Sequence, residues 1–452
     1  MSDVNALVVS AQSLSLSKAG LVELQTSLDA NAELLATDIS VAVAALEAGA
    51  LTPHAHSLAW VHILHAMCIP PSASAGMGQP PHALPSDPNT DKFFALATIL
   101  LKSCDPAQAR KDPARFARVC GELRDVAVAK NLPASAIAPL AAAIAAARPS
   151  PDHLTPQHAM LFQCCLLAKC FNAALPVLLQ PVYEVDPSTT GLKSRDFLTY
   201  CYYGGMCFVG LRRYDEAANL LLHAITAPAS AVSAVVVAAF KTFTMASLIG
   251  GGVVPSFPRF TPPVVQRNLK ALCVPYFALS DAYKTRSGEQ LGKVAKIHEA
   301  AFAADGNSGL LALVVKSLVK RNVQRLTQTY LTLSLADIAS AVHMQGGAAE
   351  AEKQVVCMIE AGEIFASISQ RDGMVSFHDV GTDQYSSVAM AAQLDGEIRE
   401  AMAMSDRVRS VDEAVKCDKT YLAKVSSEVG SELAGLRGMK VGGDMDYAGG
   451  DP

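Results

Sequence analysis

The sequence predicts a mainly α protein: a tetratricopeptide-like helical-repeat solenoid, then a winged helix, then one long C-terminal helix. Three observations lead there. The 452-residue chain is 51% apolar but only 6% aromatic, with a single tryptophan. Much of that apolar content is alanine, which favours closely packed helices over a pleated sheet. Apolar residues at helical spacing recur in pairs through the middle of the chain, until one strand–turn–strand pattern and a seven-residue apolar repeat replace them.

A chain this apolar can bury a large core, which excludes wholesale disorder. Its formal charge of −5, from 37 basic and 42 acidic residues, gives no overall attraction to nucleic acid or an anionic membrane. Cys164, Cys165, Cys170, Cys201 and Cys207 sit inside apolar stretches, and no Cys-x-x-Cys occurs among the eleven cysteines. They read as buried thiols in a reducing compartment, not as a disulfide framework or a metal knuckle. The opening residues lack the basic and apolar regions of a secretory signal.

Taken in order, residues 1–69 read as an N-terminal helical region. Residues 70–90, PPSASAGMGQPPHALPSDPNT, hold six prolines and read as a flexible linker or loop. Irregular helical repeats fill 91–305. In 202–229, Gly205, Phe208, Tyr214, Ala217, Leu221 and Ala224 fall on the small/large spacing of a tetratricopeptide repeat. Phe171, Ala174 and Leu178 repeat the offsets of Tyr214, Ala217 and Leu221, 43 residues earlier. Each helix pair then leaves an apolar face that only its neighbour covers. Ala224–Phe240 carries no charge, but Pro228, Ser230, Ser233 and the alanines make it a buried helix and not a membrane span. Gly250–Pro263 reads as a connection between helices.

Residues 306–380 read as the winged helix. Ser334 caps a helix with Asp337 three residues on, and Leu333 staples against Ile338. Leu335, Ile338, Ala339 and Val342 share its apolar face. A second helix carries Ala351, Val355, Met358 and Ile359, and Gly362 ends it. The segment EIFASISQRDGMVSFHD then turns at Asp372-Gly373, a strong hairpin signal. That turn pairs Ile368 with Phe377 and Gln370 with Val375. Ile364, Ala366, Ile368, Val375 and Phe377 take one face; Ser367, Ser369, Arg371, Ser376 and His378 take the other.

Residues 390–433 read as one helix within a C-terminal region of 384–436. Ala401, Val408, Val415, Leu422 and Val429 recur every seven residues, with Met404, Val411 and Val425 in a second row that Asp418 breaks. Such a stripe packs against another helix. The glycine-rich 437–452 reads as a disordered tail.

This layout resembles that of the PCI-domain proteins, the scaffold subunits of the proteasome lid, the COP9 signalosome and translation initiation factor three. The segments FQCCLLAKCFNAALPVL, YYGGMCFVGLRRYDEAANLLLHAITAPASAVS, QRLTQTYLTLSLADIAS and EAEKQVVCMIEAGEIFASISQRDGMVSFHD resemble the subunit 3 family of the COP9 signalosome. The likeness covers roughly residues 150–435, with a PCI domain of about 196–380. It implies a non-catalytic scaffold of the nucleus and cytoplasm, with no cofactor and no metal. Its partners would be other signalosome subunits, through paired winged helices and a bundle of C-terminal helices, and indirectly the cullin-RING ligases whose deneddylation the complex performs. The implied interface residues are Ile364, Phe365, Ser367, Ser369, Arg371, Met374, Ser376 and His378 on the hairpin. On the C-terminal helix they are Ala401, Met404, Val408, Val411, Val415, Leu422, Val425 and Val429. A proteasome-lid PCI subunit and a nucleic-acid-binding winged helix are the alternatives.

Chemistry-bearing patterns are few. His54, His56, His62 and His65 cluster, but the metal motif that His-x-His suggests needs a serine and an aspartate soon after, where Leu64 and Met67 stand. They read as helix-surface histidines. The second winged-helix helix carries Glu350, Glu352 and Glu360 against Lys353, the wrong sign for phosphate contact. Lys316, Lys320, Arg321 and Arg325 make a basic stripe on the preceding helix, read as a solvated face or as one that pairs with acidic neighbours. Gly250-Gly251-Gly252 lacks the Lys-Ser/Thr of a phosphate loop, and no Gly-x-Ser-x-Gly nucleophile elbow occurs.

Overall fold

The computed structural model describes residues 3–15, 18–68, 88–344, 346–378 and 387–427. Most of the proline-rich 70–90 stretch, the tail at 437–452 and Val429 lie outside them. The chain forms two compact units: residues up to Leu326 together with 339–345, and Thr327–Ile338 together with Gly346 onward.

The first unit opens with α1 (Asp3–Leu14), α2 (Lys18–Ala30), α3 (Ala32–Thr37), α4 (Ile39–Glu47) and α5 (Ser57–Met67). It continues with α6 (Pro88–Ser103), α7 (Pro106–Ala109), α8 (Pro113–Ala129), α9 (Pro133–Ala147) and α10 (Pro156–Leu167). Next come α11 (Phe171–Leu178), α12 (Pro187–Thr190), α13 (Ser194–Gly210), α14 (Tyr214–Thr226) and α15 (Ala234–Gly250). The run closes with α16 (Pro263–Leu272), α17 (Val274–Lys284), α18 (Gly288–Ile297), α19 (Glu299–Ala304) and α20 (Ser308–Thr329). A proline at the first helical position starts many of these helices, where its missing N–H costs nothing. Asp105, Asp112 and Asp186 precede such prolines, and each accepts a bond from a backbone N–H of the first turn. Pro88 likewise begins α6, so the proline-rich stretch ends in helix and not in loop.

One continuous apolar core runs from Leu7 to Leu318. The repeat residues behave as their spacing predicts: Phe208, Ala217, Leu221, Ala224, Ala174 and Leu178 are all buried. Glycine sets how closely α13 and α14 approach. A β-carbon at Gly205 would lie 2.5 Å from Leu221 Cγ, and one at Gly204 would lie 2.6 Å from Leu220 Cδ2. The uncharged stretch 224–240 is not one helix: α14 ends at Thr226, and the segment holding Pro228 separates it from α15. Proline cannot continue the backbone ladder there. Phe240 of α15 stacks on Phe277 with centroids 5.1 Å apart. Beside it, the Tyr276 hydroxyl donates to Asp305 Oδ2 at 2.8 Å and accepts from Asn307 Nδ2 at 2.9 Å, and Lys241 Nζ donates to Asp305 Oδ1 at 2.6 Å. Those partners satisfy the buried polar atoms.

The basic stripe on α20 is not simply a solvated face. The Arg321 guanidinium donates through Nη2 to the Gly250 carbonyl, and its side chain covers Gly252, which has φ +71°. A β-carbon at Gly252 would lie 2.4 Å from Arg321 Nε. Gly252 makes room for the arginine and Gly250 for Asp215 and Tyr214, packing roles that need no phosphate. Among the described residues, no helix is long and apolar enough to cross a membrane.

In the second unit, β1 (Thr332–Ser334) leads into α21 (Leu335–Val342), whose last residues are grouped with the first unit. Ser334 caps as its spacing predicts: its Oγ accepts from Asp337 N at 3.1 Å and donates to Asp337 Oδ2 at 2.6 Å. The same residue ends a strand that the helix-start reading missed. α22 (Gly347–Glu360) buries Ala351, Val355 and Met358. It ends at Gly362, φ +69°, with Glu363 N donating to Met358 O at 2.9 Å and Gly362 N to Ile359 O at 3.0 Å. This is a Schellman close, in which a left-handed residue lets two late N–H groups reach back to free carbonyls.

Strands β2 (Ala366–Ser369) and β3 (Met374–Phe377) make the hairpin, and the sheet order is β1-β3-β2, antiparallel throughout. The expected register is off by two residues: Ile368 faces Val375 and Ala366 faces Phe377. The loop is Gln370–Gly373, with Gly373 at φ +62°, so one glycine in a four-residue loop does the turning, not a two-residue Asp-Gly turn. A slip of two preserves the faces, because the side-chain period is two. Ile364, Val375 and Phe377 are accordingly buried, while Ser367 and Ser369 are exposed.

α23 (Val388–Cys417) follows, and the helix expected to continue to 433 stops at Asp418. Asp418 adopts φ −68°, ψ 132°, and its Oδ1 accepts from Thr420 N at 3.0 Å. It caps a new helical segment over 419–427. These bonds hold its carboxyl below the usual aspartate range. A capping aspartate in extended geometry breaks a helix that the apolar repeat alone would carry through.

Candidate partner interface

Two surfaces of the second unit lack the cover that their chemistry calls for. The first is the sheet edge. β3 is the middle strand, with β1 on one side and β2 on the other. Its ladder continues past the strand ends: Phe377 N donates to Leu331 O at 2.8 Å, and His378 N to Phe365 O at 2.9 Å. Met374 and Ser376 therefore offer side chains but no free backbone edge. Among the described residues the outer edge of β2 is unpaired, and there Ser367 and Ser369 point away from the buried face. An open edge is a ready template for another chain.

The hairpin residues fall into distinct places. Phe365, Ser367, Ser369, Arg371, Met374 and His378 are exposed, and Ser376 is half-buried. Ser367 Oγ lies 2.9 Å from His378 Nε2, and Ser369 Oγ donates to Asp372 Oδ2 at 3.1 Å. Ile364 is 5% exposed. It belongs to the chain's own interior, not to a partner surface, because it sits on the same face as Val375 and Phe377.

The second surface is α23, none of whose thirty residues is buried. Its polar side is laced by ion pairs one turn apart, Arg399–Asp395 at 2.7 Å and Lys416–Asp412 at 2.6 Å. Its apolar side is bare. Ala401, Met404, Val408, Val411 and Val415 are exposed, as is Leu422 beyond the Asp418 break, and Val425 is half-buried. Leu394 and Ile398 add to the exposed apolar side. Leu394 lies seven residues before Ala401, so the spacing that found the rest reaches it too. Among the described residues nothing buries this apolar stripe, which makes it a candidate interface.

The histidine cluster is not a surface feature. α5 is buried along almost its whole length, and His62 is 4% exposed; only His54 is fully exposed. Burial, reinforced by the Arg115 cation, lowers the His62 pKa to about 4. The half-buried His65 is shifted the same way, for the same first cause.

A helical array, a three-stranded sheet whose first strand precedes two helices and whose hairpin follows them, and a closing amphipathic helix define a PCI-domain protein. The PCI domain pattern matches residues 294–379, and the pattern described as COP9 signalosome complex subunit 3, N-terminal helical repeats, matches residues 18–265. The COP9 signalosome complex subunit 3 of Arabidopsis thaliana is 33% identical over 430 residues, 95% of each chain. That of Dictyostelium discoideum is 34% identical over 341 residues, 75% of this chain and 81% of its own. The chain belongs to the COP9 signalosome complex subunit 3 family. The likeness reaches back to residue 18, well before the segments that carry it by eye.

Proposed function

We propose that this chain is a non-catalytic scaffold subunit of the COP9 signalosome. It joins sister PCI subunits through the open edge of β2 and packs α23 into a shared helical bundle. Through that assembly it supports cullin deneddylation and the control of cullin-RING ubiquitin ligases, in the nucleus and cytoplasm. One observation carries the reading: a thirty-residue helix with an apolar stripe and no buried residue. A second strand donated to β2 fits the unpaired edge in the same unit. The acidic α22, with Glu350, Glu352 and Glu360 beside Lys353, favours protein contacts over nucleic acid.

Native purification of the tagged full chain tests the proposal. Signalosome subunits should co-purify, and Val408→Asp with Val415→Asp should release those held by α23. Recovery of proteasome ATPases in their place, or of no companion at all, would overturn it.

A further inference from the structure

Three helices of the first unit bring one nitrogen and two carboxylates to a single point. Asp29 comes from α2, His62 from α5, and Asp112 from the cap of α8, and one ligand atom of each lies within 4.8 Å of the others. His62 Nε2 is buried without a hydrogen-bond partner and lies 3.9 Å from Asp112 Oδ2. Asp112 is already oriented, because its Oδ1 accepts from Arg115 N at 3.1 Å and leaves Oδ2 turned to the cluster. The Arg115 guanidinium bridges the two carboxylates through Nη1, at 2.6 Å from Asp112 Oδ2 and in contact with Asp29 Oδ1.

From this we infer that Asp29, His62 and Asp112 form a zinc site that clamps α2, α5 and the start of α8, with the Arg115 guanidinium as the cation that holds its place when no metal is bound. The orphaned imidazole nitrogen points to this reading. Arg115 satisfies the carboxylates through Nη1, whereas His62 Nε2 has no hydrogen-bond partner among the described residues. A metal ion satisfies all three groups at once. Two ligand atoms on a tetrahedral zinc lie about 3.4 Å apart at a bond of ~2.1 Å. The His62–Asp112 separation of 3.9 Å must shorten slightly to meet that spacing, and Asp29, with 44% of its side chain exposed, can rotate to close the rest. One imidazole with two carboxylates suits zinc, whereas magnesium and calcium take oxygen ligands. The Arg115 side chain is partly exposed.

The test uses the full chain, stripped by a chelator and titrated with zinc against a chromophoric competitor. The expected result is one zinc per chain and a higher melting temperature with zinc than with magnesium. His62→Gln and Asp29→Asn should each weaken binding at least about tenfold, since losing even an outer-shell partner costs that much. Arg115→Gln should tighten it by removing the competing cation, and His54→Ala with His56→Ala should leave it unchanged. Asp29 is exposed, so Asp29→Asn remains informative if His62→Gln fails to fold. The inference is overturned if micromolar zinc does not bind, if both ligand variants bind as well as the native chain, or if binding is lost with Arg115→Gln or with the His54/His56 pair.

Discussion

α15 and α23 are both rich in apolar residues, yet one is buried on nearly every side and the other on none. In α15 the apolar residues run all round the helix, and Thr242, Thr244 and Ser247 among them are buried too. Thr244 Oγ1 meets its need within the helix, donating to Phe240 O at 3.0 Å. In α23 charged residues from Asp395 to Lys416 break up the apolar ones, which leaves a stripe and not a cylinder. A helix apolar all round is finished by its own chain; a striped one is finished by whatever binds it.

Four substitutions set buried positions of the first unit against the bare stripe of α23, from the largest effect on chain stability to the smallest. Phe240→Ala in α15 should cost about 3–5 kcal/mol in urea unfolding, through transfer and cavity terms together. Next comes acid. His158 is 2% exposed, and burial lowers its pKa to about 4 against an unfolded value near 6.5. Between those values the unfolded chain binds the extra proton, so stability falls as pH drops from 6.5 toward 4, by up to about 3 kcal/mol. His158→Gln keeps the capping-box chemistry with Thr155 and should flatten that slope. Gly205→Ala should cost about 1–3 kcal/mol, because its β-carbon runs into Leu221. Val408→Asp on α23 should stay within about 0.5 kcal/mol of the parent while losing companions in pull-down. A large destabilisation there would mean that the chain covers its own stripe.

The hairpin offers a smaller version of the same contrast. Ile368→Asp puts a charge on the face shared with Val375 and should cost several kcal/mol, whereas Arg371→Glu in the exposed loop should be mild. Equal losses would mean that the faces are reversed.

The helices, their apolar faces and the hairpin faces were legible because periods of 3.6 and 2 are local properties of the chain. What stayed hidden depends on distant partners. β1 spans three residues, too few to show alternation, and exists only because β3 arrives from beyond α22. The loop length shifted the register without disturbing the faces. Asp418 was visible as a gap in an apolar row, but its role as a cap follows from its backbone angles. His62 looked like a surface residue because α5 carries no charged residue to mark which side is wet. Its carboxylate neighbours lie far away in sequence, at 29 and 112, where no spacing rule reaches. Leu394 was within reach of the seven-residue spacing and was passed over.

The middle strand of the sheet is the last to be synthesised. β1 leaves the ribosome first, β2 follows after two helices, and neither can bond to the other without β3 between them. Until β3 has emerged, neither β1 nor β2 has its partner strand, so the sheet of the wing forms only after its last strand has been made. Long-range pairing of this kind is slow. An outer edge competent to accept a companion thus becomes available only once the whole wing has been made.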